Sequence, residues 1–418
     1  MQSSVTGDDG IVGQPKAVLQ RLIEYCQAND WTGYDPYDAL NSKVIEKLFL
    51  LNSRIPRIAI TQLLKRSPVN LRPLLGVPKR QNAKALALFL SAFTKLAAAG
   101  IVAYQPQADY LIERLETLRS SDPCYWSWGY SFPWQTRSVL VPSGTPNLVC
   151  TVFVASALLD AYEYYGHMRY LTMSTSAAEY LVDKLYWSDG SSRAGFAYPL
   201  PTVRNQVHNA NFLAAALLCR VSRHTGEQKF LEPALKVARY SASRQRADGS
   251  WLYGEAASQG FIDNFHTGFN LCALHSIMLA LRSDEFEHNL RRGFDYYRDH
   301  FYLEDGAVRY FHNKTYPIDI HAVAQSIITP LVLSTVSPPN FNLAASVFRW
   351  AMARMWNSGG YFYYRVLRLG TVRIPYMRWS EAWMVSAIAH LVFTLERQTP
   401  KLSRDLSRVT PVETKAAA

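Results

Sequence analysis

The chain has 418 residues, of which 49% are apolar and 18% are charged, so a large buried core is available to it. The most apolar stretch, residues 85–103, is interrupted by Lys95, which argues against a membrane-spanning helix. The first thirteen residues are polar and acidic, without the apolar segment of a secretory signal. Five scattered cysteines without a CxxC pair are typical of reduced thiols, and we therefore expect a cytoplasmic protein.

Positive charge, +11 in net, is concentrated in two stretches without acidic residues, 47–108 and 320–380. Either stretch would attract phosphate, carboxylate or anionic lipid. Prolines punctuate residues 47–95, and the isoleucine, leucine and valine residues among them suit peripheral contact with the inner face of a membrane. A solvated basic surface is the alternative. No nucleic-acid-binding motif accompanies the charge, so we expect no nucleic acid partner.

Helical periodicity begins at residue 14, after a tail (1–13) that we expect to be disordered, as we do 401–418. A helix over 14–28 is followed by Tyr37–Leu51, for which Pro36 suits the first turn. Further along, apolar helices alternate with amphipathic ones. The apolar helices begin near residues 83, 146, 208, 264, 319 and 379, and the amphipathic ones cover 109–118, 170–186, 227–245, 285–302 and 341–356.

These starts lie about 55 to 63 residues apart, which corresponds to one helical hairpin per repeat. Hairpins of one apolar and one amphipathic helix close most economically as a ring, with the apolar helices inside and covered on all sides. We therefore predict an all-α fold, an α/α toroid of six or seven hairpins in one domain, 14–398. An open solenoid is the alternative, but the chain lacks the polar-faced terminal caps that a solenoid needs.

The connection between residues 244 and 264 shows how one repeat is built. A turn at Gly249 ends the amphipathic helix and is followed by Trp251, and Asp263 is placed to cap the apolar helix Asn264–Leu281. An indole, a phenol, two carboxylates, an amide and an imidazole are collected there. Such groups recognise a polar ligand with flat apolar faces.

In a ring, every outer-to-inner connection lies at the same rim, together with the positive N-terminal ends of the inner helices. These connections are rich in rings, carboxylates and amides, whereas the opposite turns are short and plain. That composition is typical of a sugar site. The candidate substrate-binding residues are Trp128, Tyr130, Trp134, Arg137, His208, Asn209, Asn211, Trp251, Tyr253, Asn264, Tyr363, Arg365, Arg378 and Trp379. The alternative for elements such as Gly249-x-Trp251 is that they pack as wedges between hairpins.

Several motifs together resemble a known group of proteins. They are Trp128-Gly129-Tyr130 with Trp134-Gln135-Thr136-Arg137, Val207-His208-Asn209-Ala210-Asn211, Asp248-Gly249-Ser250-Trp251, Asp263-Asn264-Phe265-His266-Thr267-Gly268 and Arg378-Trp379. The chain resembles, over about residues 30–397, six-hairpin glycosidase-like proteins of bacterial and archaeal surface-polysaccharide biosynthesis clusters. The resemblance implies an α/α toroid and carbohydrate metabolism, without a catalytic assignment. Residues 245–251 also fit the Q-x-x-x-G-x-W element of triterpene cyclases, but the Asp-rich acid motif of those enzymes is missing.

The candidate catalytic residues allow two chemistries. Glycoside hydrolysis on a surface or exopolysaccharide needs a carboxylic acid and a second carboxylate, which Asp263, Asp319 and Glu381 could supply across the rim. Uronate C5-epimerisation or elimination instead needs a base such as His266 or His321, with an amide or arginine to neutralise the substrate carboxylate. The first chemistry is our prediction and the second its alternative.

A further alternative is a non-catalytic glycan-binding or scaffold protein of a membrane-associated synthesis complex. In each case we expect the partner to be an oligosaccharide or polysaccharide that is anionic or lipid-linked. The histidines of the apolar helices lie one per repeat, without a second ligand at helical spacing other than carboxylates. We therefore predict no metal and no cofactor.

Overall fold

The computed structural model describes residues 14–47, 53–334 and 341–406. Its α-helices are, in chain order, α1 (Pro15–Ala28), α2 (Arg54–Arg66), α3 (Ala83–Ala98), α4 (Gln105–Thr117), α5 (Leu148–Tyr165), α6 (Met168–Tyr180), α7 (His208–Thr225), α8 (Gln228–Ser243), α9 (Asn264–Leu281), α10 (Glu287–Phe301), α11 (Ile320–Val332), α12 (Phe341–Met355) and α13 (Ala382–Leu406). A π-helical turn, Met377–Glu381, leads into α13.

Short antiparallel strands lie in the connections that lead from an outer helix to the next inner one. The strands are β1 (Trp134–Gln135), β2 (Leu140–Val141), β3 (Tyr186–Ser188), β4 (Ala194–Phe196), β5 (Ile318–Asp319), β6 (Trp356–Asn357), β7 (Tyr361–Phe362), β8 (Arg365–Leu367) and β9 (Gly370–Val372). They pair as β1–β2, β3–β4, β6–β7 and β5–β8–β9. The last sheet pairs Asp319 with Arg365, so it joins the fifth connection to the sixth.

The six inner helices α3, α5, α7, α9, α11 and α13 contact one another in this order, and α13 returns to α3. The outer helices α4, α6, α8, α10 and α12 each pack on the inner helix that precedes them, and α1 packs on α13. The all-α toroid is therefore confirmed, with six hairpins. The first and the last described helix, α1 and α13, form one hairpin, with α1 outside and α13 inside.

Side chains that precede the inner helices explain why these helices begin where they do. The side chains of Asn82, Asn147, Asp263 and Asp319 each accept a hydrogen bond from a backbone N–H of the first turn that follows. Such caps satisfy donors that a helix start leaves open. At the other end, Gly226 adopts the left-handed conformation that ends α7. The predicted cap of α9 by Asp263 is confirmed.

The prediction of one helix over Tyr37–Leu51 is wrong in its described part. Two short 3₁₀ turns, Asp38–Asn41 and Ile45–Lys47, stand there instead. The Asp38 carboxylate accepts from Asp35 N, and the Ser42 hydroxyl accepts from Ile45 N. These local bonds compete with α-helical hydrogen bonding.

At the C-terminal end, α13 runs to Leu406, beyond the predicted start of the tail at residue 401. The predicted tail segments 1–13 and 407–418 lie outside the described residues. One described helix, α5, is long and apolar enough to cross a membrane by length and composition alone. It is an inner helix of the ring, and most of its surface is buried.

Candidate functional site

The rim formed by the outer-to-inner connections lies over the N-terminal turns of the inner helices. At this rim His266, on the first turn of α9, directs Nδ1 at Asp263, 2.9 Å from Oδ1 and 2.8 Å from Oδ2. Because a carboxylate accepts, Nδ1 carries the proton and Nε2 is left with a lone pair. The Asp263 side chain is 2% exposed and that of His266 is 23% exposed. The pair is thus a buried carboxylate orienting an imidazole that reaches solvent.

Aromatic rings surround this dyad of Asp263 and His266. The Tyr253 ring lies 4.6 Å from the imidazole and is itself stacked on Phe261 at 4.8 Å. Phe265 lies 4.2 Å from the imidazole on its other side, and Tyr310 lies 5.7 Å from Phe265. Tyr253 and Tyr310 are partly exposed. Tyr253 and Phe261, stacked at 12°, thus present an apolar face beside an acid–base group, while Tyr310 meets Phe265 edge-on at 71°.

Asp319 lies beneath the same rim, fully buried. Its carboxylate accepts from Arg365 Nε at 2.6 Å, from Trp379 Nε1 at 2.8 Å and from the backbone N–H of His321 at 3.0 Å. Burial alone would lower the pKa of Arg365, but the Asp319 carboxylate, together with the neighbouring Tyr364 and Tyr310, outweighs it and raises that pKa. The Arg365 side chain keeps 12% exposure. Asp319 thus holds a cation and an indole in place at the rim.

A second ion pair joins the two ends of the chain. Arg378 donates to both oxygens of Asp35, at 2.6 and 2.8 Å, and the pair is buried. The guanidinium lies 5.0 Å from the Tyr130 ring centroid. Tyr130 and Tyr198 flank Trp134, at 5.9 and 6.3 Å between ring centroids. These rings form a second aromatic group at the rim.

One layer deeper, Lys84 and His321 lie buried within the ring. His321 stacks on Phe265 and on Trp383, each at 4.3 Å, and neither ring nitrogen has a hydrogen bond within the described protein. Lys84 Nζ lies 4.0 Å from the Phe153 ring centroid. Burial lowers the pKa of both groups, so His321 is neutral near pH 7.

Two amide oxygens, of Asn209 and Asn270, are also without a hydrogen-bond partner among the described groups. Both residues line a cavity of about 10 Å³ that touches Asp263 and His266. Buried polar atoms of this kind normally have partners. A ligand hydroxyl that reaches this layer would be able to donate a hydrogen bond to one of these amide oxygens.

The main hollow of the ring, about 870 Å³, opens at the opposite end. It runs from the N-terminal halves of the inner helices, where Phe153, Phe269 and Trp383 line it, to their C-terminal ends. The same three rings surround Lys84 Nζ. The rim, where the sequence predicts a sugar site, and this larger cavity thus lie at opposite ends of the inner helices.

Four residues expected to contact substrate are instead buried wedges or braces. Trp128 Nε1 donates to Leu115 O at 2.7 Å, and Trp251 Nε1 donates to Ser241 O at 3.0 Å. The Asn211 side chain accepts from Phe196 N, and Asn264 bonds the Ser326 hydroxyl. None of the four is exposed by more than 1%. They lock neighbouring hairpins together and present almost no surface to a ligand in this conformation, so their role in substrate binding stays a prediction.

Glu381 does not form a carboxylate pair across the rim with Asp263. It is fully buried, its Oε2 accepts from Phe362 N, and it lines a cavity of about 120 Å³ with Tyr25 of α1. Burial raises its pKa well above the usual range. The π-helical turn before α13 directs this side chain toward the outer helix instead of the axis.

The remaining candidates lie at or under the rim. His208 is buried with Nδ1 3.3 Å from the Ser241 hydroxyl, and Tyr363 is half-buried beside Asn357. Arg137 is exposed and donates to Ser258 O at 3.1 Å. Trp379 is 6% exposed and forms an edge contact with His321 at 4.7 Å.

Sequence reasoning missed Lys84, Phe265, Asn270 and Trp383. Lys84 had a usable signal, because it is a lone charge in the first turn of an apolar helix. The other three are ordinary residues of an inner helix, and only the ring brings them to the axis. Among the described residues, no three His, Cys, Asp or Glu side chains are grouped so as to hold a metal ion.

No family model and no curated protein matches the chain. Solved structures do match it. Cellobiose 2-epimerase from Spirochaeta thermophila is 15% identical, with a TM-score of 0.56 over 77% of this chain and 87% of that one. A family 76 α-mannanase from Bacteroides thetaiotaomicron is 10% identical, with a TM-score of 0.59 over 77% and 88%. A D-mannose isomerase is 12% identical, with a TM-score of 0.59 over 94% and 100%. The chain therefore has the six-hairpin glycosidase-like toroid fold of these proteins, as the sequence predicted.

Proposed function

We propose that this six-hairpin toroid is a sugar-processing enzyme whose chemistry is proton transfer by His266, of the epimerase or isomerase type. The observation that carries the proposal is the dyad at the rim, in which buried Asp263 fixes the tautomer of a solvent-reaching imidazole. Partly exposed Tyr253 and Tyr310 offer a sugar ring a platform beside it. Structures described as an epimerase and an isomerase share the fold.

Proton transfer of this type requires one base and one electrophile. His266 Nε2 would take a proton from a carbon next to a carbonyl or carboxylate group, and a cation would stabilise the negative charge that develops on oxygen. Arg365, held by Asp319 and partly exposed, is the cation we assign to that role. Return of the proton by His266 to the neighbouring carbon gives an isomer. An epimer forms when the planar intermediate turns its other face to the protonated imidazole, or when a solvent proton reaches that face. The role of His321 as a base stays a prediction.

Hydrolysis is less well supported by the geometry. It needs two carboxyl groups on either side of the scissile bond. Asp263, Asp319 and Glu381 are each at most 3% exposed, and the first two are engaged by His266 and Arg365. Among the described candidates no pair of free carboxyl groups therefore faces the rim.

We further propose that the sugar is anionic and belongs to surface-polysaccharide synthesis. The net charge of +11 and the cations Arg137 and Arg365 at the rim favour a uronate. The biosynthetic context rests on the motif resemblance of the sequence alone. A neutral sugar, such as those named in the epimerase and isomerase structures, is the second candidate.

Solvent exchange tests this proposal. The purified chain is incubated in D₂O with uronate-containing oligosaccharides and, separately, with cellobiose and mannose, and the products are followed by NMR and mass. We expect deuterium at the carbon next to the carbonyl or carboxylate group, without new reducing ends. His266→Gln should lower the exchange rate by about 100-fold or more. The matched control is His288→Gln, which changes an exposed imidazole on the outer helix α10.

Three outcomes would contradict the proposal. Undiminished exchange in His266→Gln would remove the dyad from the chemistry. New reducing ends would show a hydrolase. Binding of the oligosaccharide without exchange or cleavage would show a glycan-binding protein.

A further inference from the structure

Helix α2 carries an apolar stripe that faces solvent. Ile55, Ala59 and Leu63 lie at four-residue spacing, so they share one face of the helix. Ile55 is 72% exposed and Leu63 is 60% exposed, and Ala59 is exposed as well. A helix of a monomeric protein normally turns such a stripe toward the core.

The core-facing side of α2 is already occupied. Leu64 is buried in a small separate core with Ala39 and Ile45, against which Ile60 packs. The helix lies in the 29–82 connection, outside the alternation of inner and outer helices. The stripe of Ile55, Ala59 and Leu63 is therefore left over after folding and is not needed to hold α2 in place.

Further exposed apolar residues lie in the same connection. Val44, Val69 and Leu74 are 48%, 63% and 80% exposed. With Ile55 and Leu63 they make five of the twelve large exposed apolar residues in the described protein. The exposed apolar residues are thus concentrated in one connection of the chain, and the stripe on α2 is the part of this set that shares one face.

The exposed charges on α2 and in the residues that follow it are positive, and the nearest acid in sequence, exposed Glu46, precedes the helix by eight residues. Arg54 and Arg66, at the two ends of α2, are exposed, and so are Lys79 and Arg80. No acidic residue occurs between Glu46 and Asp109 in the whole sequence. An apolar stripe on a helix that carries cations and no acid is complementary to a surface that is apolar inside and negatively charged outside.

We propose that α2 docks in the plane of an anionic lipid bilayer, with Ile55, Ala59 and Leu63 among the acyl chains and the cations among the headgroups. A protein partner would match the apolar stripe equally well, but it would not need every charge on α2 to be positive. Binding to a bilayer with acidic headgroups uses both the apolar stripe and the positive charges.

The position of α2 adds a consequence that rests on the proposed function. Arg54 donates to Arg137 O at 3.0 Å, and Arg57 donates to Gln135 at 3.3 Å, so α2 adjoins the rim. Lys65 bonds the Tyr37 hydroxyl and lies 5.8 Å from the Trp379 ring. Docking of α2 therefore brings the His266 rim close to the headgroups, and the substrate class that fits is a membrane-borne glycan.

Vesicle flotation tests the docking with the full chain. Vesicles of phosphatidylcholine, with and without phosphatidylglycerol, are mixed with the protein, and the floated fraction is measured as salt is raised. We expect binding to the phosphatidylglycerol vesicles that weakens with salt. The double variant Ile55→Asp/Leu63→Asp should bind about tenfold more weakly or worse. Val102→Asp, on an inner-to-outer turn at the opposite rim and 60% exposed, is the matched control and should bind normally.

Charge reversal of Lys79 and Arg80 to Glu should weaken binding by a similar factor, about tenfold.

Binding that is equal on neutral vesicles, or unchanged in the Ile55/Leu63 variant, would overturn the proposal. Self-association of the wild type that this variant abolishes, without vesicle binding, would assign the stripe to a second copy of the chain. All variants should keep wild-type exchange on a soluble sugar. If the wild type floats with the vesicles but shows no exchange on any of the sugars, only the proposed function is contradicted.

Discussion

Three aspartate–arginine pairs lie beneath the rim, namely Asp35–Arg378, Asp38–Arg72 and Asp319–Arg365. Each carboxylate is buried, and each pair joins segments that are far apart in the chain. Removing one partner of such a pair leaves an uncompensated charge, which typically costs about 3–5 kcal/mol. The pairs therefore brace the connections that form the rim around the first turn of α9, where His266 lies.

A single buried imidazole gives the fold a measurable pH dependence. Burial lowers the pKa of His208 to about 4, with Arg244 adding to this effect and Glu255 opposing it. Between about pH 6.5 and 4 the unfolded chain therefore binds a proton that the folded chain does not. Stability is fully present above the unfolded pKa and is lost as the pH falls.

We expect His208→Gln to weaken this acid sensitivity. The difference in unfolding free energy between pH 7.5 and 4.5 should shrink by about 2 kcal/mol, measured by denaturant titration at both values. His390, whose pKa burial lowers to about 3, acts in the same direction, so some sensitivity remains. His288→Gln, on an exposed imidazole, is the control. An equal pH dependence in His208→Gln and the wild type would contradict the assignment.

At the level of the elements, hairpins are locked to one another by indoles. The Trp251 ring lies against Phe212 at 5.9 Å, and a Cβ on Gly293 of α10 would come within 2.7 Å of it. Gly249, two residues earlier, has a φ of +90° and approaches the Arg292 carbonyl closely. The left-handed turn at Gly249 and the lack of a side chain at Gly293 together leave room for the Trp251 ring.

We expect Trp251→Ala to destabilise the protein by about 3–5 kcal/mol, because a fully buried ring and its hydrogen bond are lost. Tyr316→Ala, at a ring that is 45% exposed, should change stability by about 0.5 kcal/mol or less. Thermal and denaturant unfolding measure both. A stable Trp251→Ala protein with weakened glycan binding would return Trp251 to the substrate site.

The sequence predicted the helices well and the site less well, for a physical reason. Apolar residues all round an inner helix, and a cap such as Asp263, are local signals that survive in the folded state. The contacts that close the rim are not local, since Arg378 binds Asp35 across 343 positions. Periodicity shows that a helix is buried but not which connection packs over it, so the end at which the large cavity opens could not be predicted.

At the scale of the whole molecule, the ring is closed by the meeting of the first and last described helices. Helix α1 is the outer partner of α13, and Val18, Leu22, Ile23 and Cys26 of α1 are buried. Lys16 also pairs with Glu396 at 2.7 Å, but this exposed ion pair contributes little. The sixth hairpin therefore depends on apolar packing between segments from opposite ends of the chain.

We expect Leu22→Ala to cost about 2–5 kcal/mol, whereas Gln20→Ala, on the exposed face of α1, should be nearly neutral. Hydrogen exchange distinguishes ring closure from local fraying. In a closed ring, loosening α1 uncovers α13, and α13 contacts α3 and α11. Protection should therefore fall in α13 as well as α1, while α7, on the far side of the ring, keeps it. Loss of protection confined to α1 would show that the remaining helices hold the ring without their sixth outer partner.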